Sequence, residues 1–279
     1  MPELPEVEVI RRDLERDVVG RKVKNVEVET MRSVRRHRMR KQFTGRLQGV
    51  KITSVDRRGK YLVMKLDSGD VLVIHLGMSG QLVRAKSSKE RQAKHTHVVI
   101  TFTQGGQLRF VDPRTFGEMF VTAPEELEEE VDELKHLGVD PLETTMSWEY
   151  FGQLVAQRHA KLKPMLMDQK VLAGIGNIYS DEILFSAGLR WDRMSDSLSA
   201  QEIRRLYRAL IETLQDAVKH RGSTLDDDGY VDLFGKPGGY SEFHNVYARA
   251  GEACPRCRNP IVKQRVGGRS AYFCDACQV

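Results

Sequence analysis

The chain has four cysteines in 279 residues and none before position 254. A disulfide framework is thereby excluded for everything upstream. No apolar run approaches the ~20 residues that a membrane-spanning helix needs, and the mean hydropathy is −0.45. The first residues, Met1-Pro2-Glu3-Leu4-Pro5-Glu6, are acidic where a secretory signal is basic and then apolar. The expectation is a cytoplasmic protein with no membrane partner. Acids are almost missing from one stretch. Between Met31 and Lys60 eleven Lys/Arg face a single Asp56, although the net charge is only +5. Clustered base of this kind predicts a polyanionic partner, with a solvated basic loop as the plain alternative. Residues 124–134 are the reverse, with seven acids, and read as an exposed linker or helix without a binding role.

The length suits two domains and perhaps a small appendage, each burying a core. Pro5 to Val18 reads as an amphipathic helix ended by Gly20, with Val9, Ile10, Leu14 and Val18 at helical spacing. Residues 22–30, 50–55, 61–66, 71–76, 96–103 and 107–111 read as strands, separated by turns such as Asp67-Ser68-Gly69 and Gln104-Gly105-Gly106. A β-rich domain with an N-terminal helix therefore ends near residue 123. Beyond Gly138 the pattern is helical over 147–158, 162–168, 178–187 and 199–219, with Ser147 and Ser199 as N-caps. Gly174 and Gly176 precede a helix and would present free N–H groups to a phosphate, although in isolation a plain tight turn is the stronger reading. Residues 221–240 have five glycines and little periodicity, which predicts a long functional loop.

The N-terminus carries its own chemistry. Removal of Met1 would leave Pro2 as a terminal secondary amine, and an α-amino group titrates near ~8. Such an amine is partly neutral and nucleophilic at cellular pH. Its attack on an aldehyde-level carbon gives an iminium that acidifies the adjacent C–H bond. Glu3 and Glu6 place carboxylates within one turn of it for proton transfer. The competing reading is structural: Pro5 as a first-turn proline, with Glu6 and Glu8 complementing the helix dipole.

All four cysteines fall in Cys254-Pro-Arg-Cys257 and Cys274-Asp-Ala-Cys277. Two such pairs in a cytosolic chain predict one structural zinc held by four thiolates. The residues between them, 261–265 and 269–273 around Val266-Gly267-Gly268, read as a β-hairpin. Basic residues surround it, which suits nucleic acid, while a zinc ribbon for protein contacts is the alternative.

Taken in order, several stretches resemble the formamidopyrimidine-DNA glycosylase family over nearly the whole chain. They are Pro2-Glu3-Leu4-Pro5-Glu6-Val7-Glu8, Arg57-Arg58-Gly59-Lys60-Tyr61-Leu62, His75-Leu76-Gly77-Met78-Ser79-Gly80 and Asp112-Pro113-Arg114-Thr115-Phe116-Gly117. Asp168-Gln169, Gly174-Ile175-Gly176-Asn177-Ile178-Tyr179 and the terminal cysteine pairs complete the set. The resemblance implies an α+β protein: an N-terminal helix plus β-sandwich domain (1–134), a helix–two-turn–helix domain (135–244) with a lesion loop at 221–240, and a β-hairpin zinc finger with four cysteine ligands (245–279). It implies a monomeric repair enzyme that binds damaged double-stranded DNA between its domains, excises oxidised purines such as 8-oxoguanine and formamidopyrimidines, and then cleaves the strand by β,δ-elimination.

Residue by residue, the resemblance makes Pro2 the Schiff-base nucleophile, Glu3 its acid/base partner and Glu6 a supporting carboxylate. Lys60 is the proton donor for β-elimination, and Arg269 carries δ-elimination. His95, Arg114, Arg158 and Asn177 match DNA contacts. Met78, Arg114 and Phe116 match the residues that fill the space of an everted nucleotide. The sequence departs from the family pattern at Arg221-Gly222-Ser223-Thr224, where a Gly-Gly pair is usual, at Asp226-Asp227-Asp228, at Gly238-Gly239-Tyr240 and at Tyr247-Ala248-Arg249. Two alternatives stay open: an endonuclease VIII-like enzyme for oxidised pyrimidines, and a catalytically silent DNA-binding protein. Leu4 and the Met78/Arg114/Phe116 trio favour the purine enzyme, and the intact Pro2, Glu3, Lys60 and Arg269 favour catalysis.

Overall fold

The computed structural model describes residues 1–225 and 229–279; the Asp226-Asp227-Asp228 run lies outside the described residues. The chain forms two compact units, Met1–Lys135 with His220–Gly239, and His136–Lys219 with Tyr240–Val279.

In the first unit, helix α1 (Leu4–Asp17) is started by Pro5 and by the Glu3 amide, which donates to Glu6 Oε2 at 2.8 Å. Its residues Val7, Ile10 and Leu14, followed by Val18, are buried in the core. Each such burial contributes about 1.5–3 kcal/mol. Strands β1 (Val23–Val28), β6 (Thr96–Phe102), β7 (Gln107–Val111) and β5 (Gln81–Ala85) form one antiparallel sheet in the order β1-β6-β7-β5. Strands β2 (Ile52–Arg58), β3 (Tyr61–Leu66), β4 (Val71–His75) and β8 (Glu118–Thr122) form a second, in the order β2-β3-β4-β8. Both sheets contribute to one core, with Val26, Ile100 and Phe110 from the first and Ile52, Leu62, Ile74 and Val121 from the second. The expected sandwich with an N-terminal helix is present.

Three elements were not expected from sequence. Strand β8 buries all five residues, so it shows no alternation to read. Strand β5 carries Arg84, whose side chain is held by Asp17 and by the Gln107 carbonyl at 3.1 Å. Helix α2 (Arg40–Leu47) buries only Phe43 and Leu47, too little for a periodic stripe in a basic segment.

The basic stretch is also more internally neutralised than its composition suggests. Arg36 pairs with Glu118 at 2.8 Å, Arg46 with Asp70 at 2.6 Å, Arg57 with Glu8 at 3.0 Å and Arg58 with Glu128 at 2.8 Å. Glu128 belongs to the acidic segment, which folds as two short helices, α3 (Leu127–Glu130) and α4 (Asp132–Lys135).

The second unit is helical, with α5 (Trp148–Ala156), α6 (Leu162–Met167), α7 (Asn177–Ala187) and α8 (Ala200–Lys219). Ser147 caps α5 through the Tyr150 amide at 3.2 Å. Ser199 and Glu202 cap α8 reciprocally, Ser199 N to Glu202 Oε2 at 2.8 Å and Glu202 N to Ser199 Oγ at 3.3 Å. Gly188, in the left-handed region at φ 69, ends α7. Strands β9 (Val262–Val266) and β10 (Arg269–Phe273) form the terminal hairpin. Its base packs through Cys254, Ile261 and Cys274 on Phe185 of α7.

Candidate active site and nucleic-acid interface

The N-terminal groups are buried while Met1 is not. Met1 is 47 % exposed, whereas Glu3 and Glu6 are buried with Pro2 between Met1 and the helix. Glu6 is more than a nearby carboxylate. One oxygen accepts the Glu3 amide at 2.8 Å and the other the Ser223 amide at 2.8 Å, so it organises the backbone that carries Pro2.

Lys60 sits in a two-residue hairpin turn, because Arg58 pairs with Tyr61 across it and Gly59 supplies φ 57. Arg57 ties this turn to α1. Its buried guanidinium donates to Glu8 Oε2 at 3.0 Å and to the Gly59 carbonyl at 3.2 Å. Burial alone would raise the Glu8 pKa, but hydrogen bonds from Arg11, Arg12 and Arg57 outweigh it and hold that carboxyl at about 2. Burial pushes His75, stacked on Tyr61 at 4.5 Å, down to about 4.

A second group of site residues is assembled around Asp112, which is fully buried. Its Oδ1 accepts the Ser79 hydroxyl at 2.7 Å and the Arg114 amide at 3.3 Å, while Oδ2 accepts the Gly117 amide at 2.8 Å. The Asp112 amide donates to the His95 carbonyl at 3.0 Å. One carboxylate and its backbone thus gather the loops bearing Met78, His95, Arg114 and Phe116. Gly77 allows the closest approach: a Cβ there would lie 2.5 Å from the Gly117 nitrogen. Met78 (42 %) and Phe116 (43 %) are exposed, and the Arg114 guanidinium lies 5.0 Å from the Phe116 ring centroid. Exposed apolar side chains on a braced loop are suited to insertion between bases, and their exposure argues against a core role.

In the second unit, Gln169 braces the glycine turn before α7. Its side chain accepts the Gly174 amide at 2.8 Å and donates to the Ile175 carbonyl at 2.9 Å. Asn177 opens the helix, and its buried Oδ1 has no hydrogen-bond partner among the described residues. Arg158 is exposed just beyond α5. Arg269 is exposed where the hairpin turn, with Gly267 (φ 53) and Gly268 (φ 82), enters β10.

Behind that turn a buried ion pair holds the hairpin. Lys163 Nζ bridges Asp181 Oδ1 at 2.7 Å and the Ser270 carbonyl at 2.8 Å, and the Tyr272 amide donates to Asp181 Oδ2 at 3.0 Å.

The four thiols of Cys254, Cys257, Cys274 and Cys277 lie within 4.8 Å of one another. A tetrahedral zinc with Zn–S bonds of about 2.3 Å separates its sulfurs by ~3.8 Å. The observed 3.9 Å (Cys254–Cys277) and 3.4 Å (Cys257–Cys274) are near that value and far from bonded sulfurs. The Arg256 amide points at Cys254 Sγ at 3.4 Å, as suits a thiolate.

Family models match in the order these features occur. The formamidopyrimidine-DNA glycosylase N-terminal domain matches residues 1–119 and the H2TH domain of the same enzymes matches 137–228. The zinc finger found in FPG and IleRS matches 251–279. The chain belongs to the formamidopyrimidine-DNA glycosylase family. It is 42% identical over 278 residues to the formamidopyrimidine-DNA glycosylase of Pelotomaculum thermopropionicum, covering 100% of this chain and 99% of the relative. It is 41% identical to that of Geobacillus kaustophilus over 100% of both. Among solved structures, MutM (Fpg) of Thermus thermophilus superposes with a TM-score of 0.88 at 39% identity, covering 99% of this chain and 98% of that one. Lactococcus lactis Fpg in complex with DNA containing an abasic site gives 0.89 at 33% identity, covering 99% of both.

The finger of this family member holds one structural zinc through Cys254, Cys257, Cys274 and Cys277. Two bracing residues escaped sequence reasoning. Asp112 stood in a quoted motif without a role, and Arg57 looked like one more charge of a basic run. The readable signal for Arg57 was its place two residues after the inward-facing Val55 on the same strand, since a buried charge demands a partner.

Proposed function

We infer that the protein is a DNA glycosylase that releases oxidised purines from damaged duplex DNA and then cleaves the strand as an abasic-site lyase. The observation that carries the reading is the N-terminus: an exposed Met1 followed by a buried Pro2 and Glu3 held by Glu6. Relatives that are 38–42% identical over the full length carry the purine enzyme's name. Solved complexes of Lactococcus lactis Fpg contain abasic-site DNA and Fapy-dG DNA.

In this reading Met1 is removed, and the lone pair of the Pro2 nitrogen bonds to C1′ as the glycosidic C–N bond breaks. The base leaves with the bonding pair and takes up a proton, and the Pro2 nitrogen gives up its N–H proton. Glu3 exchanges a proton with the sugar as the ring opens, leaving an iminium to Pro2. Loss of a C2′ proton then expels the 3′ phosphate, with Lys60 as proton donor, and a second elimination assisted by Arg269 expels the 5′ phosphate. His95, Arg114, Arg158 and Asn177 hold the strand, and Met78, Arg114 and Phe116 occupy the space of the everted nucleotide. Zinc shapes the hairpin that presents Arg269 and takes no part in the bond changes. The chain acts as a cytoplasmic monomer, and its functional modules are 1–134, 135–244 and 245–279. Among the described residues no helix is long and apolar enough to cross a membrane.

Borohydride trapping on an 8-oxoguanine duplex tests the reading. Protein should become joined to DNA at Pro2 with Met1 absent, and single-turnover excision should be faster for oxidised purines than for oxidised pyrimidines. Trapping through an internal lysine, or from protein that retains Met1, would overturn the mechanism.

A further inference from the structure

Arg221 occupies backbone that a side chain disfavours. Its φ is 65, in the left-handed region, and Gly222 follows at φ 78. A residue with a Cβ at this φ must be held in place by something. The structure shows what holds it. Nε and Nη2 donate to Asp232 Oδ2 at 3.0 and 2.7 Å, and Nη2 also donates to Asp13 of α1. Both carboxylates are buried. The Arg221 carbonyl accepts the Tyr230 hydroxyl at 3.0 Å, and Asp232 Oδ1 closes its own turn on the Phe234 and Lys236 amides, each at 2.9 Å. One guanidinium therefore fastens the 220–239 segment to the helix that begins at the catalytic terminus.

The next residues show the consequence. The Ser223 amide donates to Glu6 Oε1 at 2.8 Å, and Gly222 lies so close that a Cβ would stand 2.7 Å from that oxygen. The other Glu6 oxygen accepts the Glu3 amide at 2.8 Å. Standard bond lengths place the Pro2 nitrogen within about 6.5 Å of it. A carboxylate at that range stabilises a protonated amine. Backbone N–H groups on both of its oxygens spread the charge and fix its position.

We propose that Arg221 is a positioning residue: its fork to Asp13 and Asp232 keeps the Ser223 amide on Glu6 and so sets the placement of Glu3 and the readiness of the Pro2 amine. The proposal rests on the glycosylase/lyase reading above. Charged and titratable groups near Glu6 among the described residues include Glu3 at the start of its own helix and Tyr230 of the packed segment, with Arg221, Asp13 and Asp232 beyond.

The test compares Arg221→Gly, Arg221→Lys and Asp232→Asn with the wild-type holoenzyme. The readouts are single-turnover borohydride trapping on a preformed abasic duplex, its pH profile, and duplex affinity for a reduced abasic analogue. Arg221→Gly relieves the backbone strain while removing the fork, so it separates stability from positioning. The expected result is a loss of about tenfold or more in trapping rate per active site, with an acid limb displaced from that of the wild type and affinity little changed. Asp232→Asn should reproduce it, and Arg221→Lys should recover part. Wild-type rate and pH profile in both Arg221→Gly and Asp232→Asn would overturn the proposal. Failure of the wild type to trap at Pro2 would instead sink the functional reading beneath it. If Arg221→Gly does not fold, Asp232→Asn and Arg221→Lys decide on the same readouts.

Discussion

Asp112 takes the hydroxyl of Ser79 on its buried carboxylate at 2.7 Å. The same side chain holds the Gly117 amide at 2.8 Å, so the turn carrying Met78 and the loop carrying Phe116 are fixed to one anion. Exposed side chains that must enter a base stack need such bracing, because a mobile wedge would lose in ordering entropy what it gains by insertion.

Replacing Asp112 with Asn should therefore reduce lesion excision from duplex more than cleavage at a preformed abasic site, where unstacking costs less. Phe116→Ala and Met78→Ala should show the same bias with the fold unchanged, whereas Asp112→Asn should also lower stability by about 1–3 kcal/mol. Single-turnover rates on the two substrates, with denaturation curves for each variant, separate the effects. Equal losses on both substrates would mean that these residues support the fold and do not open the duplex.

The contrast between Phe116 and Asp112 shows what was legible in the sequence. Motif order assigned Met78, Arg114 and Phe116 to the space of an everted nucleotide, and in the structure Met78 and Phe116 are exposed. Period-two alternation and glycine turns gave most of the sandwich strands, and two cysteine pairs gave the metal cluster. The bracing was hidden because it is made by contacts distant in sequence, such as Arg57 with Glu8. A buried arginine and a surface arginine look the same in a basic run. Likewise β8 was hidden because a strand buried on both faces has no alternation. Arg221 stood out only as a departure, and its two carboxylate partners became visible in the structure.

Removing the zinc should unfold the hairpin and leave the sandwich intact. The finger has a small core around Cys254, Val246, Ile261 and Cys274, and metal binding supplies much of the folding free energy of such modules. Cys254→Ser, or prolonged chelation, should abolish duplex binding while the first unit keeps its thermal transition. Elemental analysis should return about one zinc per chain, as one tetrahedral four-thiolate site requires. Active protein without zinc would refute this.

Phosphate contacts by Arg158, Arg269 and the turn before Asn177 should make log affinity fall linearly with log salt. Arg158 and Arg269 are exposed, as such contacts require. Arg158→Ala should weaken binding to all sequences alike and shallow the slope by about one phosphate's contribution. A slope identical to the wild type would remove Arg158 from the interface.

Acid should destabilise the first unit in two steps. His75 is neutral in the fold, its pKa pushed by burial from 6.5 to about 4. The unfolded chain takes up that proton first, so the stability it contributes is present above pH ~6.5 and lost as pH falls toward ~4. Glu8 behaves the same way lower down. Three arginines overcome the burial penalty and hold it at about 2 against an ordinary 4.5, so its contribution is lost between ~4.5 and ~2. Glu8→Gln should flatten the lower step, because a neutral amide still accepts hydrogen bonds but no longer titrates. Glu8→Ala should cost about 3 kcal/mol or more at neutral pH, since the buried Arg57 guanidinium loses a carboxylate partner. Urea denaturation at closely spaced pH values between 7 and 2 reads both steps (the range set by those two groups). A lower step that persists in Glu8→Gln would assign it to another carboxylate and break the link between the Arg57 turn and α1 as a source of stability.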